Sequence, residues 1–295
     1  MGSHAIFSRA NTTEVDMSLP GKARALAEVL RAFAGHPWVF AKLLRQLPRV
    51  LRGFTFAEGW EPAGPPARGD TGLDSSTAAD PENPLVAFLR KRETGRGIWK
   101  WMHYLDVYHR HLRKFVGKEV HVLEVGIHSG GSLEMWRDYF GPKCHLYGVD
   151  IEPACACYEN DHTKVFVGSQ ADRGLWQTIR QRVPALDVLI DDGGHETEQQ
   201  IVTIEEMLPH LRLGGVYVCE DIHGEYNGFS AYVQGLVANL HAMLSGYEPD
   251  VKPAPIQSYI GSVHIYPYLT VVEKVDSPVS RLVSARRGTE WQPFG

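Results

Sequence analysis

The stretch VHVLEVGIHSGG, Val120 to Gly131, decides the fold. A β-branched run that ends in Glu-x-Gly and then turns through small residues is how a strand passes into a helix at many nucleotide-cofactor sites. Gly126, Gly130 and Gly131 let the backbone turn sharply and approach a ligand closely. The reading is a cofactor-binding α/β domain.

Outward from this loop, strands and helices alternate. Strands are predicted at Val120–Val125, His145–Val149, Lys164–Val167, Leu186–Ile190, Val216–Cys219, Ser262–Tyr266 and Leu269–Lys274. Helices are predicted at Leu133–Phe140, Gly174–Arg182, Thr197–Leu211 and Phe229–Leu244, with two more upstream near Pro84–Arg92 and His103–Phe115. Such alternation predicts a doubly wound, seven-stranded, mostly parallel sheet, and the closing hairpin adds one antiparallel edge strand.

The 295 residues exceed one compact core of the usual size, so a catalytic domain over residues 85–295 plus an appendage is expected. Between Leu19 and Phe54 apolar residues recur at helical spacing, interrupted at Gly35-His36-Pro37, which predicts two short amphipathic helices. This Leu19–Phe54 stretch carries a local charge of about +6, and in the arm as a whole, residues 1–56, residues 1–16 read as tag or disordered chain. Two placements are open to it: on an anionic membrane surface, or packed on its own domain or a second subunit of a homo-oligomer. The Pro- and Gly-rich residues 57–84 read as a linker.

A net charge of −5 argues against a general nucleic-acid binder. Neither secretion nor membrane spanning is expected, since no signal-peptide pattern and no long apolar run is read in the sequence, and its four cysteines form no CxxC pair. A cytoplasmic protein with reduced thiols is expected.

In an open parallel sheet, ligands bind beyond the carboxyl ends of the strands. Asp150 closes LYGVD at such an end, where a carboxylate accepts hydrogen bonds from ribose hydroxyls. Gly168-Ser169-Gln170-Ala171-Asp172 offers polar groups to an adenine edge. The next strand ends in Asp191-Asp192-Gly193-Gly194-His195, and the fifth in Glu220-Asp221-Ile222-His223. Adjacent acids repel unless a cation compensates, so paired acids at neighbouring strand ends point to a hard divalent metal such as Mg²⁺. His195, in a glycine-flanked loop, suits a general base acting on a hydroxyl. Trp99, Trp101, Tyr104, Tyr108, Tyr226, Phe229 and Tyr232 are either an acceptor-pocket lining or ordinary core, and the loop 224–228 is the better candidate for substrate contact.

On these residues the chain resembles the class I S-adenosylmethionine-dependent methyltransferases. More narrowly it is similar to the metal-dependent branch that holds the macrolide-sugar O-methyltransferases of mycinamicin and tylosin biosynthesis and the related cephalosporin hydroxylase family. The matching pieces are LEVGIHSGGSLEMWRDYF, YGVDIEP, IDDGGH and LRLGGVYVCEDIH, with GRGIWKWMHYLDVYHRH upstream, so the resemblance covers about Gly95 to Lys274. It implies a Rossmann-like fold that binds S-adenosylmethionine and Mg²⁺ and methylates a hydroxyl of a small molecule, such as a sugar or glycosylated natural product. By the same resemblance Glu124, Gly126, Gly130 and Ser132 shape the methionine end of the cofactor site, Asp150 holds the ribose and Gln170 the adenine side. Asp192, Glu220 and Asp221 would ligate the metal, Asp191 would face the cofactor amine or pocket wall, and Lys100, His103 and Tyr104 would close over the cofactor. His195 would be the base.

The chain departs from the family in having Gly194 where a serine often precedes the histidine, and its arm matches no auxiliary domain of the macrolide enzymes. Two other readings compete. A nicotinamide-dependent dehydrogenase shares the glycine loop and distal acid, but Gly126-x-x-x-Gly130 lacks the GxGxxG spacing. A non-catalytic cofactor-binding or membrane-surface module leaves the clustered acids and His195 without a purpose.

Overall fold

The structure, a computed structural model, describes residues 37–59, 83–224, 227–241, 250–251, 253–285 and 287–289. The chain divides into two compact units, Met1–Thr71 and Gly72–Gly295. In the first, one helix is described, α1 (Pro37–Glu58). Pro37 is its first residue, where a missing N–H costs nothing, which accounts for the break expected at Gly35-His36-Pro37. The earlier of the two expected helices lies outside the described residues, as does most of the linker. The helix runs two residues past the expected end of the arm, to Glu58. Leu44, Leu47, Leu51 and Phe54 lie exposed along it at helical spacing.

The second unit holds a seven-stranded sheet in the order β3-β2-β1-β4-β5-β8-β7. Its strands are β1 (Val120–Val125), β2 (Cys144–Asp150), β3 (Thr163–Val167), β4 (Leu186–Asp191), β5 (Leu211–Cys219), β7 (Ile260–Tyr266) and β8 (Leu269–Lys274). A separate short pair joins β6 (Asp250–Val251) to β9 (Leu282–Val283). β1 to β5 pair in parallel, whereas β8 runs antiparallel to both β5 and β7. The one reversed strand expected at this margin is therefore β8, one place in from the edge, and the outermost strand β7 points with the parallel set.

Both faces of the sheet are covered, and alternate residues of one strand feed opposite sides. Val120 and Val122 join one buried cluster with Tyr104, Leu112, Trp136 and Phe140, from α3 (Met102–Leu112) and α4 (Gly131–Phe140). Leu123 and Val125 join the other with Trp176, Ile204 and Phe229, from α5 (Arg173–Arg182), α6 (Thr197–Met207) and α7 (Gly228–Leu240). This period of two, buried on both sides, makes β1 read as a continuous apolar run. α2 (Pro84–Arg90) is anchored by the buried Asn83, which accepts from Leu85 N–H and donates to the Leu105 carbonyl on α3. A short helix α8 (Pro255–Tyr259) leads into β7.

α6 ends at Met207, earlier than its apolar pattern predicts, because Leu211 already pairs with Leu186 as β5 begins. No described helix is long and apolar enough to cross a membrane.

Candidate functional site

A cavity of about 690 Å³ opens beyond the carboxyl ends of β1, β2, β4 and β5, and the segment Gly97–Trp101 closes one side of it. Its floor depends on Gly126. With φ +81°, this residue lets β1 pass so close to β4 that an added Cβ would sit 1.9 Å from the Asp192 carbonyl oxygen.

At one end of the cavity is Asp150. One carboxylate oxygen accepts from His128 N–H at 2.9 Å and the other from Glu152 N–H at 2.9 Å, which leaves lone pairs on both for a ligand. His128 itself is held at φ +41°, an uncommon conformation for a side chain of its size. Gln170 lines the neighbouring wall but is committed to the protein. Its amide donates to Asp191 Oδ1 at 2.9 Å and Thr203 Oγ1 at 3.1 Å, and its oxygen accepts from Gly194 N–H at 2.7 Å. Both side-chain N–H groups of Gln170 are thus used within the protein, and they brace the loop after β4. Ser169, beside it, lines the cavity with a hydroxyl that accepts from Ala171 N–H.

The two adjacent acids after β4 part company. Asp191 continues the strand's alternation and is buried, accepting from Gln170 and from the Tyr217 hydroxyl at 3.2 Å. Burial pushes its carboxyl up to about 6. It is not among the residues that line the cavity. Asp192, past the end of the strand, turns into the cavity.

Lys100 sits among the acids. Its ammonium lies 2.5 Å from Asp192 Oδ2, 2.9 Å from Glu220 Oε2 and 3.5 Å from Glu124 Oε1, and its side chain is 2% exposed. Burial works to discharge it, but Glu220, Asp192 and Glu124 together hold it well above the ordinary lysine value. The carboxyls of Glu124, Asp192 and Glu220 are each raised, first by burial; mutual repulsion with Asp192 adds to the shift at Glu124 and Glu220. Glu124 is tied on its other oxygen by the Ser132 hydroxyl at 2.7 Å. Lys100, expected over the cofactor, lines the cavity and is the counter-ion of the acid cluster.

On the far side Asp221 is gripped by aromatics. Its Oδ1 accepts from Tyr104 OH at 2.8 Å and from Trp101 Nε1 at 3.1 Å, while Asp221 N–H donates back to Tyr104 OH at 3.2 Å. Its Oδ2 faces His195 Nε2 at 3.5 Å. His195 and Asp221 both have positive φ, +60° and +52°, as does Tyr268 at +61°, whose carbonyl accepts from Tyr104 OH. Three such residues around one group mark a strained corner of the kind found at functional sites.

One ligand atom from each of Asp192, His195 and Asp221 lies within 4.8 Å of the others. Four carboxylates there, those of Glu124, Asp192, Glu220 and Asp221, meet a single ammonium, so a hard divalent cation suits the donor set and the charge. Glu220, the third member of the expected trio Asp192, Glu220 and Asp221, lines the same cavity and is bonded to Lys100. His195 Nδ1 is buried without a hydrogen-bond partner.

Of the aromatics, Trp99, Trp101 and Tyr104 line the cavity, while Tyr108 and Phe229 are core. Tyr226 lies outside the described residues. His128 and Tyr268 carried no local signal in the sequence, since their part depends on backbone conformation and on contacts across the fold.

No protein-family model matches the chain. It is 31% identical over 226 residues to the demethylmacrocin O-methyltransferase of Streptomyces fradiae, an alignment covering 69% of this chain and 56% of that one. It is 30% identical over 199 residues to the mycinamicin VI 2''-O-methyltransferase of Micromonospora griseorubida, covering 60% and 49%. The chain thus spans about half the length of the curated relatives it matches. Among solved structures it resembles the methyltransferase MycE of the mycinamycin biosynthetic pathway in complex with Mg and SAH, with TM-score 0.54, 25% identity and coverage of 65% of this chain and 54% of that one. The fold is the Rossmann-like fold of the class I methyltransferases.

Proposed function

We propose that the chain is an S-adenosylmethionine-dependent, Mg²⁺-assisted O-methyltransferase for a hydroxyl group of a small molecule, a sugar or glycosylated natural product. One observation carries this reading: a single cavity has the Asp150 carboxylate at one end and Asp192, His195 and Asp221 at the other. Its volume is in the range of small-molecule sites. The named relatives are O-methyltransferases of demethylmacrocin and mycinamicin VI, and the acceptor class is taken from them.

In this reading Asp150 receives the ribose hydroxyls and the Gly126–Gly130 turn and Ser132 bound the methionine end. Asp192, Glu220 and Asp221 would hold the cation, an all-oxygen donor set that suits Mg²⁺ and leaves other positions for water or substrate. When bound, the cofactor supplies an electrophilic methyl group and the cation supplies positive charge beside the acceptor oxygen. His195 takes the hydroxyl proton, and Asp221, fixed by Trp101 and Tyr104, keeps the imidazole oriented. Positioning and electrostatics do most of the work. The same reading sets the enzyme in the cytoplasm with reduced thiols.

Calorimetry with S-adenosylmethionine, in Mg²⁺ and then in EDTA, tests the proposal. Micromolar binding is expected, and NAD binding in its absence would replace the reading with the dehydrogenase. For the arm, liposome sedimentation with and without residues 1–56 tests the anionic-membrane placement, and equal binding by both forms would leave packing on its own domain or on a second subunit.

A further inference from the structure

A second group of metal-ligating side chains lies away from the cavity, on the face of the β7–β8 hairpin that α3 covers. Strand alternation places Ser262, His264, Tyr266 and Glu273 together on that face, and the last turn of α3 brings the buried His111 against them. His111 Nδ1 is 3.2 Å from Glu273 Oε1, and His264 Nε2 is 3.5 Å from Glu273 Oε2. One ligand atom of each residue lies within 4.8 Å of the other two. Bonds of about 2.0–2.2 Å in a tetrahedron give ligand-to-ligand edges of about 3.3–3.6 Å, and the two His–Glu273 spacings, one to each carboxylate oxygen, lie close to that.

We propose that His111, His264 and Glu273 bind a divalent transition metal of the Zn²⁺ type, which clasps α3 to the β7–β8 hairpin. Two imidazoles and a carboxylate are a Zn²⁺ donor set, with water completing the tetrahedron. The outer contacts suit the role. His111 Nε2 meets the Tyr266 hydroxyl at 2.9 Å, which fixes the ring with Nδ1 toward Glu273. The Ser262 hydroxyl bridges His264 Nε2 at 2.9 Å and Glu273 Oε2 at 3.2 Å, and is the contact that an ion replaces. Lys114, 3.7 Å from Glu273 Oε1, is a flexible surface residue able to withdraw.

The consequence reaches the cavity through α3, whose Tyr104 grips Asp221.

The test is calorimetric Zn²⁺ titration of the full chain in excess Mg²⁺, in an Asp192→Asn/Asp221→Asn/His145→Ala background that silences the other two candidate groups, those around Asp192 and around His145. One equivalent should bind and raise the melting temperature. His264→Ala and, separately, Glu273→Gln should each weaken binding tenfold or more and abolish the rise. His264 is partly exposed, so its replacement leaves the fold intact, which circular dichroism of the metal-free variant verifies. Absence of binding in the background protein, or binding undiminished in His264→Ala, overturns the proposal and leaves a hydrogen-bond network.

Discussion

The Lys100 ammonium lies 2.5 Å from the Asp192 carboxylate, although the two residues are 92 positions apart in the chain. Through this contact and its approach to Glu220 and Glu124, one buried cation compensates two buried acids and the partly buried Asp192. Removing one member of a buried ion network exposes the others to the full cost of burial, of order 3–5 kcal/mol. Lys100→Met should lower unfolding free energy by about that amount in EDTA, with part of the loss restored by Mg²⁺. Urea titrations in the two buffers measure it; a variant as stable as the parent in EDTA would mean the acids are neutral without Lys100.

His195→Ala should reduce turnover by about 10²–10⁴, the usual contribution of a positioned general base, while S-adenosylmethionine affinity stays within twofold. Initial rates and calorimetry on the same preparation separate the two effects. Turnover preserved across pH would remove His195 from the proton transfer.

Asp191 gives a pH dependence of known sign. Folded, its carboxyl ionises at about 6; its reference value is 3.8, so between these values the folded state holds the proton more tightly. Its contribution to stability is present at low pH and is lost as pH rises through this window, by about 3 kcal/mol in all. Asp191→Asn keeps acceptor and donor groups for Gln170 and Tyr217 without the charge. The stability of this variant relative to the parent should therefore be greater at pH 7.5 than at pH 4.5. Urea unfolding at both values checks it, and an equal difference at both would contradict the assignment.

Gly126 and Gly117 both have positive φ, +81° and +74°, but only Gly126 has backbone where a Cβ would go. Gly117→Ala should cost about 1–2 kcal/mol, the backbone term alone. Gly126→Ala should cost clearly more and weaken cofactor binding, because β1 must move away from Asp192. Thermal unfolding of the pair compares the two, and equal losses would show that the β1–β4 approach can relax.

The sequence by itself determined the order of elements and the strand ends where Asp150, Asp192, His195 and Asp221 stand, because periodicity, glycine turns and terminal acids are local signals. It also placed the reversed strand within the closing hairpin. It left Asp191 and Asp192 undivided, since with both faces of β4 buried no polar side marks which acid stays in the sheet and which leaves it. Only the tertiary structure decided that Asp191 is braced by Gln170 and Tyr217, that Glu220 turns to Lys100, and that His111 meets His264 and Glu273. Each of these depends on side chains far apart in the chain, brought together by the crossing of strands and helices, and no short window of sequence records that distance.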